Sequence, residues 1–314
     1  MKVSFGIINY NRLFYLKSCA ESLMKSIEDY GDEVELVCID DNSKEPGTKE
    51  YLDSLSARGW KVIDHETYRQ KKQNRQKKDI QNVQNVIDEF SDALNIFLKE
   101  STGDIIAPLQ GDMEFVIKGW LPDYVALFKN RKDAFAASFD AQRKIRLQSD
   151  SYDNHTKQGN NIFAVKNQKI ISGAGNCFYR RECLQKMGGW KINQKNNAED
   201  LFTITANQMF PRMRLYVPWV PVSIAIYTDP RGTCGRVRGN KRIGLYWEAL
   251  SDNRYYQWVD QKTFKICKSR PVSIEEMAKP NGDWKLPLDA DGSWKKNPIN
   301  WPTETENIAI ETIY

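Results

Sequence analysis

Histidine is nearly missing from this chain of 314 residues: there are two, His65 and His155. The six cysteines (Cys19, Cys38, Cys177, Cys183, Cys234 and Cys267) include no C-x-x-C pair, and no histidine lies near the closest two, Cys177 and Cys183. A structural zinc site needs a tight cluster of such ligands, so zinc is not expected, and the thiols read as reduced and structural. Long apolar runs are missing too. None approaches the roughly 20 residues that span a bilayer. The opening M-K-V-S-F-G-I-I-N-Y breaks into polar residues too early for a secretory signal, so a cytoplasmic protein without a transmembrane segment is expected. No internal repeat is present, and N-Y-N-R-L-F-Y after the first apolar run holds no glycine-rich phosphate loop.

What is present suits a sizeable globular core: 40% of residues are hydrophobic and 28% charged. The net charge is a modest +5, and much of it sits in R-Q-K-K-Q-N-R-Q-K-K at 69–78. Such a run reads as a solvated helix face or loop, with an acidic surface or nucleic acid as the alternative. Only Tyr68 adjoins the run as an aromatic residue and no nucleic-acid signature accompanies it, so no nucleic acid is expected as a partner.

The apolar spacing alternates between strand and helix. Residues 2–8 predict a buried strand, 13–28 a helix, 34–39 a strand, 49–55 a short helix and 60–64 a strand. A helix over 82–100, a strand over 104–109, a helix over 119–128 and a strand over 134–139 follow. This is the order of βαβ units around a mostly parallel central sheet flanked by helices. Residues 141–169 are polar and read as a long excursion or hairpin over a cleft. Residues 170–190 predict a glycine-rich turn, a short strand and a helix, 200–209 a further helix, and 215–227 a strand pair interrupted by prolines. From 228 to 314 the chain is a less hydrophobic extension carrying Trp247, Trp258, Trp284, Trp294 and Trp301.

Three acid-bearing segments stand out: L-V-C-I-D-D-N-S at 36–43, G-D-I-I-A-P-L-Q-G-D-M-E at 103–114 and N-N-A-E-D-L-F at 196–202. In the first two, an apolar strand ends abruptly in acids. Ligands of open α/β sheets bind beyond the carboxyl ends of the strands. Carboxylates gathered there suit a divalent metal, a polyhydroxylated ligand or both.

With V-S-F-G-I-I-N-Y-N-R, V-C-I-D-D-N-S, F-S-D-A-L-N-I-F-L-K-E-S-T-G-D-I-I, F-Y-R-R-E-C-L-Q-K-M-G-G-W and N-A-E-D in this order, the chain resembles the family-two inverting glycosyltransferases of GT-A fold. The resemblance covers roughly residues 3–225. It implies a GT-A domain over 1–227, with a donor half at 1–115 and an acceptor half at 116–227, followed by an extension at 228–314. It implies transfer of a sugar from a nucleotide diphospho-sugar, UDP-linked by expectation, to a hydroxyl of a glycan or other acceptor, in glycan biosynthesis. Asp41 matches the residue that holds the nucleobase, with Asp40 as a second donor contact and Asn9 or Asn11 beside it; capping of the loop by Asp40 and Asp41 is the structural alternative. Asn95 falls in the matched helix and joins the donor-binding set. The Q-G-D turn stands where the family has D-x-D, so Gln110 and Gly111, counted among the donor contacts, precede a single matched metal ligand, Asp112, for Mn2+ or Mg2+.

Asp200 matches the general base, with Glu199 beside it as an acceptor contact; both also suit the first turn of a helix. Gly175, in S-G-A-G-N, offers bare backbone to an acceptor, and Trp190 is placed either to stack on its ring or in the core. Arg231 and Arg236, in the basic loop 229–242, read as a lid over the diphosphate or as a solvated loop. The family's histidine after the base has no counterpart. A nucleotidyltransferase is disfavoured by the missing phosphate loop, and a non-catalytic binding protein remains the alternative because of Gln110.

Overall fold

The structure is a computed structural model that describes residues 1–11, 13–31, 33–78, 83–111, 113–115, 117–139, 154–165, 177–191, 198–218, 222–225, 254–259 and 266–272. The first strands, β1 (Val3–Asn9), β2 (Val34–Asp40), β3 (Lys61–Asp64) and β4 (Ile105–Leu109), are mutually parallel in the order β3-β2-β1-β4. β6 (Ala134–Ser138), β7 (Asn154–Gln158), β8 (Asn161–Val165), β9 (Cys177–Arg180) and β10 (Arg214–Pro218) extend the same sheet as β9-β6-β10-β8-β7. β9 runs antiparallel between β4 and β6, and the β7–β8 hairpin forms the far edge. A short β5 (Met113–Phe115) pairs with β11 (Ser223–Ala225) outside this sheet. The strand pair expected over 215–227 is therefore two strands in two different sheets, parted at the prolines that cannot donate to a ladder. In the extension, β12 (Arg254–Val259) and β13 (Ile266–Val272) form a hairpin.

Helices cover both faces of the sheet. On one side lie α1 (Leu13–Ser26), α2 (Thr48–Ala57) and α5 (Leu121–Asn130), packed on Val3, Phe5 and Ile7 of β1 and Ile105, Ala107 and Leu109 of β4. On the other lie α4 (Val83–Glu100), α6 (Arg181–Met187) and α7 (Ala198–Met209), packed on Val37, Ile39 and Ile106. Burial on both faces is why β1 reads as one continuous apolar run rather than an alternating one. α4 lies so close over β1 that a Cβ on Gly6 would sit 2.4 Å from the Phe97 ring. The first core is strongly aromatic: Phe5, Phe115, Trp120, Tyr124, Phe139 and Phe178 form a continuous set of edge-on and stacked ring contacts. Its polar tips are satisfied, with Trp120 Nε1 donating to Ser26 Oγ at 3.1 Å and Tyr124 Oη to the Ser138 carbonyl at 2.7 Å. Among the described residues, no helix is long and apolar enough to cross a membrane.

Asp123, in the first turn of α5, reaches the β7–β8 turn and accepts from the Asn160 amide at 3.1 Å. Gly159 there has φ +59, and any Cβ on it would collide with the Asp123 carboxylate. Burial pushes the Asp123 carboxyl up to about 6, against the pull of the Asn160 amide. A carboxyl raised on folding favours the native state while protonated. Its contribution is complete below the unfolded value near 3.8 and is lost as pH rises through about 6. Asp123→Asn is therefore expected to raise Tm by a few degrees at pH 7.5, for a gain on the order of 2 kcal/mol, and to leave it unchanged near pH 3. Melting curves at the two pH values check this, and equal shifts at both would remove ionisation as the cause.

Candidate functional site

Parallel register brings the expected residues together. Asn9 pairs with Asp40 and Asp40 with Asp64, while Ile7 pairs with Leu109, so β3, β2, β1 and β4 end side by side. Asp41, His65, Gln110 and Gly111 leave those ends together, and Gly111 turns the chain with φ +84 beside Ile7 and the Ile8 carbonyl. Two of the three acid-bearing segments, 36–43 and 103–114, thus meet at the carboxyl ends of adjacent parallel strands.

Within it, Asn9, Asn11 and Asp40 knit the β1–α1 and β2–α2 loops together. Asp40 Oδ1 accepts from Asn9 Nδ2 at 2.7 Å and Ser43 Oγ at 2.6 Å, and Oδ2 accepts from the Ser43 amide at 2.9 Å. Asn11, at φ +51, accepts from the Lys44 amide at 2.6 Å and donates its own amide to Ser43 Oγ at 2.8 Å. Asp40 is thus the loop-capping acid of the pair, and its oxygens are spoken for locally. Asp41, which follows it, turns into a different set of partners.

That set was not anticipated. Asp41 Oδ1 accepts from Arg69 Nη1 at 2.8 Å and lies 3.3 Å from His65 Nδ1, an ion-pair distance without hydrogen-bond alignment. Arg69 Nη1 also donates to Glu89 Oε2 at 3.0 Å, and Arg69 is 0% exposed. His65 Nε2 meets Asp92 Oδ2 at 2.9 Å, and Arg75 bridges Glu89 at 3.0 Å and Asp92 at 2.6 Å. Lys77 Nζ lies 2.6 Å from Asp41 Oδ2. Burial would raise the Asp41 carboxyl, but His65, Lys77 and Arg69 hold it down to about 2. Burial would lower the His65 imidazole, but Asp41 and Asp92 outweigh it and raise it above its ordinary value. The basic run 69–78, expected as a solvated face, is in good part the counter-charge of this acidic group. The legible trace of it was Glu89 and Asp92, acids one turn apart on an otherwise apolar-faced helix.

One ligand atom each of Asp41, His65 and Glu89 falls within 4.8 Å of the others, which is cation-site spacing. The cation that fits there is the guanidinium, because Arg69 already touches both carboxylates. These residues suit an ion-pair cluster rather than a divalent ion. Arg69 Nε and Nη2 are buried with no hydrogen-bond partner among the described residues. A buried guanidinium with unmade donors is costly unless something accepts from it.

Asn95 and Trp190 are tied to each other. Asn95 on α4 donates to the Trp190 carbonyl at 2.7 Å and accepts from the Trp190 amide at 2.8 Å, so both ends of its amide join α4 to the chain after α6. Trp190 is 2% exposed and stacks on Phe202 at 5.3 Å; of the two placements open to it, the structure has it in the core. Glu199 and Asp200 occupy the first turn of α7, which packs against α4 and α6. Asp112, Gly175, Arg231 and Arg236 lie outside the described residues.

Solved structures are similar in fold. The mannosyltransferase PcManGT from Pyrobaculum calidifontis, in complex with GDP-Man and Mn2+, is 17% identical over 74% of this chain and 58% of its own, with a TM-score of 0.50. S. aureus TarS 1-349 in complex with UDP is 16% identical over 73% of this chain and 61% of its own, with a TM-score of 0.49. The chain thus spans about three fifths of the length of each. No curated protein matches it in sequence. The family described as Glycosyl transferase family 2 matches residues 4–188, more than half of the chain, and with the mostly parallel, doubly covered sheet this establishes that the chain belongs to glycosyl transferase family 2 and has the GT-A fold.

Proposed function

We propose that the protein transfers a sugar, with inversion, from a uridine diphosphate donor to a hydroxyl of a carbohydrate or other acceptor. The observation that carries this reading is an ionised carboxylate, Asp41, held at the carboxyl end of β2 by the buried guanidinium of Arg69. A carboxylate accepts from a ring N–H, which uracil and guanine carry on their pairing edge and cytosine and adenine do not. Asn9, Asn11 and Asp40 act by shaping the loops around Asp41, and Gln110 and Gly111 form the turn that admits the diphosphate. Asp200, at the start of α7, removes the proton from the acceptor hydroxyl as its oxygen attacks the anomeric carbon, and Glu199 and Gly175 contact the acceptor. Asp112 is the residue that would hold Mn2+ or Mg2+, which when bound neutralises charge on the leaving diphosphate. Arg231 and Arg236 donate to the same phosphates. The domain is taken to run over 1–227, with 228–314 as an extension.

A thermal-shift series with UDP-, GDP- and TDP-sugars, each with and without Mn2+, tests the donor class. A ligand at about 100 times its Kd adds roughly 2.7 kcal/mol to the folded state. A metal-dependent rise of several degrees with UDP-sugars alone is the expected result. A rise with GDP-sugars instead would overturn the uracil reading, since guanine also presents N–H beside C=O; no rise with any would favour a degraded site.

A further inference from the structure

The same basic segment that neutralises the acidic cluster also reaches the face where a base would lie. Lys77 Nζ lies 2.6 Å from Asp41 Oδ2, donates to the Asp41 carbonyl at 3.1 Å, and sits 3.9 Å from the centroid of the Tyr10 ring. An ammonium has three donors, and these three acceptors use all of them. Asp41 Oδ1 is already committed to Arg69 and His65, so Oδ2 is the oxygen left for a ligand. Tyr10 directly follows β1 at the carboxyl end of the sheet and offers its ring face to the same ammonium that meets this oxygen.

We propose that Lys77 is an internal plug of the donor site, its ammonium holding the carboxylate oxygen and the aromatic face that a nucleobase must take, so that the donor enters only as this side chain swings away. The inference rests on the reading of Asp41 as the nucleobase contact. The backbone around Lys77 stays in place during the exchange, because Arg75 is tied to Glu89 and Asp92 and the Lys78 amide donates to Glu89 Oε1 at 2.8 Å. Only the lysine side chain, partly exposed, has to change rotamer. Apparent affinity is reduced by the fraction of molecules in which the plug is withdrawn. Lys77 then sets the donor concentration at which the site fills, and once withdrawn its charge is free to meet the diphosphate.

Uridine and UDP separate these two roles of the lysine. Calorimetric titration of UDP and NMR titration of uridine are compared for the full chain and for Lys77→Met and Lys77→Gln. Uridine carries no phosphate, so relief of the plug is expected to tighten its binding about tenfold in both variants. For UDP the gain is smaller, because the lysine–phosphate attraction is lost at the same time. Uridine bound equally or more weakly by variants that still melt as wild type overturns the plug and leaves the donor site standing. Failure of wild type and variants alike to bind either ligand overturns both.

Discussion

Asp200→Asn is expected to lower the transfer rate by about 10²–10⁴-fold while leaving the affinity for UDP within a factor of about three. The asparagine keeps the shape and the place in the first turn of α7 but cannot take a proton from the acceptor hydroxyl. A carboxylate at a helix start is aimed by a rigid element and favoured by the positive end of the helix dipole. Loss of rate without loss of donor binding is the signature of a group that acts in the transition state alone. Initial rates of product formation beside UDP calorimetry decide it. Turnover within tenfold of wild type would remove Asp200 from the chemistry, and a parallel loss of UDP binding would make it a structural acid. Glu199→Gln, as an acceptor contact, is expected to act chiefly on the acceptor KM.

Arg69→Met is expected to cost about 3 kcal/mol of stability and at least tenfold in UDP affinity. The guanidinium is fully buried between Asp41 and Glu89, and its removal leaves two buried carboxylates short of a partner. The loss falls at the lower end of the range for broken buried pairs because neither acid is orphaned: Asp41 keeps His65 and Lys77, and Glu89 keeps Arg75 and the Lys78 amide. Arg75→Met removes a partly exposed arginine from the same cluster and is expected to cost no more than about 1 kcal/mol. Urea denaturation of the two variants makes the comparison. Equal, small losses would mean that the cluster is hydrated and that Arg69 has no special hold on Asp41. Loss of stability without loss of UDP affinity would mean that Asp41 keeps its place without Arg69.

Much of the fold was legible because its signals are local. The apolar runs at Val3–Asn9, Val34–Asp40 and Ile105–Leu109, each cut off by polar residues, fall where the strands are, to within a residue or two. The helix expected over 82–100 runs from Val83 to Glu100, since its apolar side repeats at helical spacing against the sheet. The site was legible in part. Asp40 and Asp41 share one motif, and nothing in it says which caps the loop and which turns to the crevice. The structure separates them by their partners: Ser43 and Asn9 for Asp40, Arg69, His65 and Lys77 for Asp41. His65 drew attention only as a poor zinc ligand, yet it bridges two carboxylates that lie 24 and 27 positions away from it in sequence. The π-helical turn at Arg69–Gln73 and the left-handed Asn74 after it bring Arg69, Arg75 and Lys77 to the acids, against the ordinary behaviour of a lysine-rich run.

By itself the sequence determined the order of strands and helices, the family, and which strand ends carry acids, because hydrophobic period and turn chemistry act between residues close in the chain. Only the tertiary structure decided how charges are shared at those strand ends. Ion pairing acts through space at a few ångströms, and parallel pairing of β3, β2, β1 and β4 sets residues from four separated segments side by side. Burial then made the choice of partner matter, since a carboxylate taken from water must find a cation there, and Asp41 found Arg69.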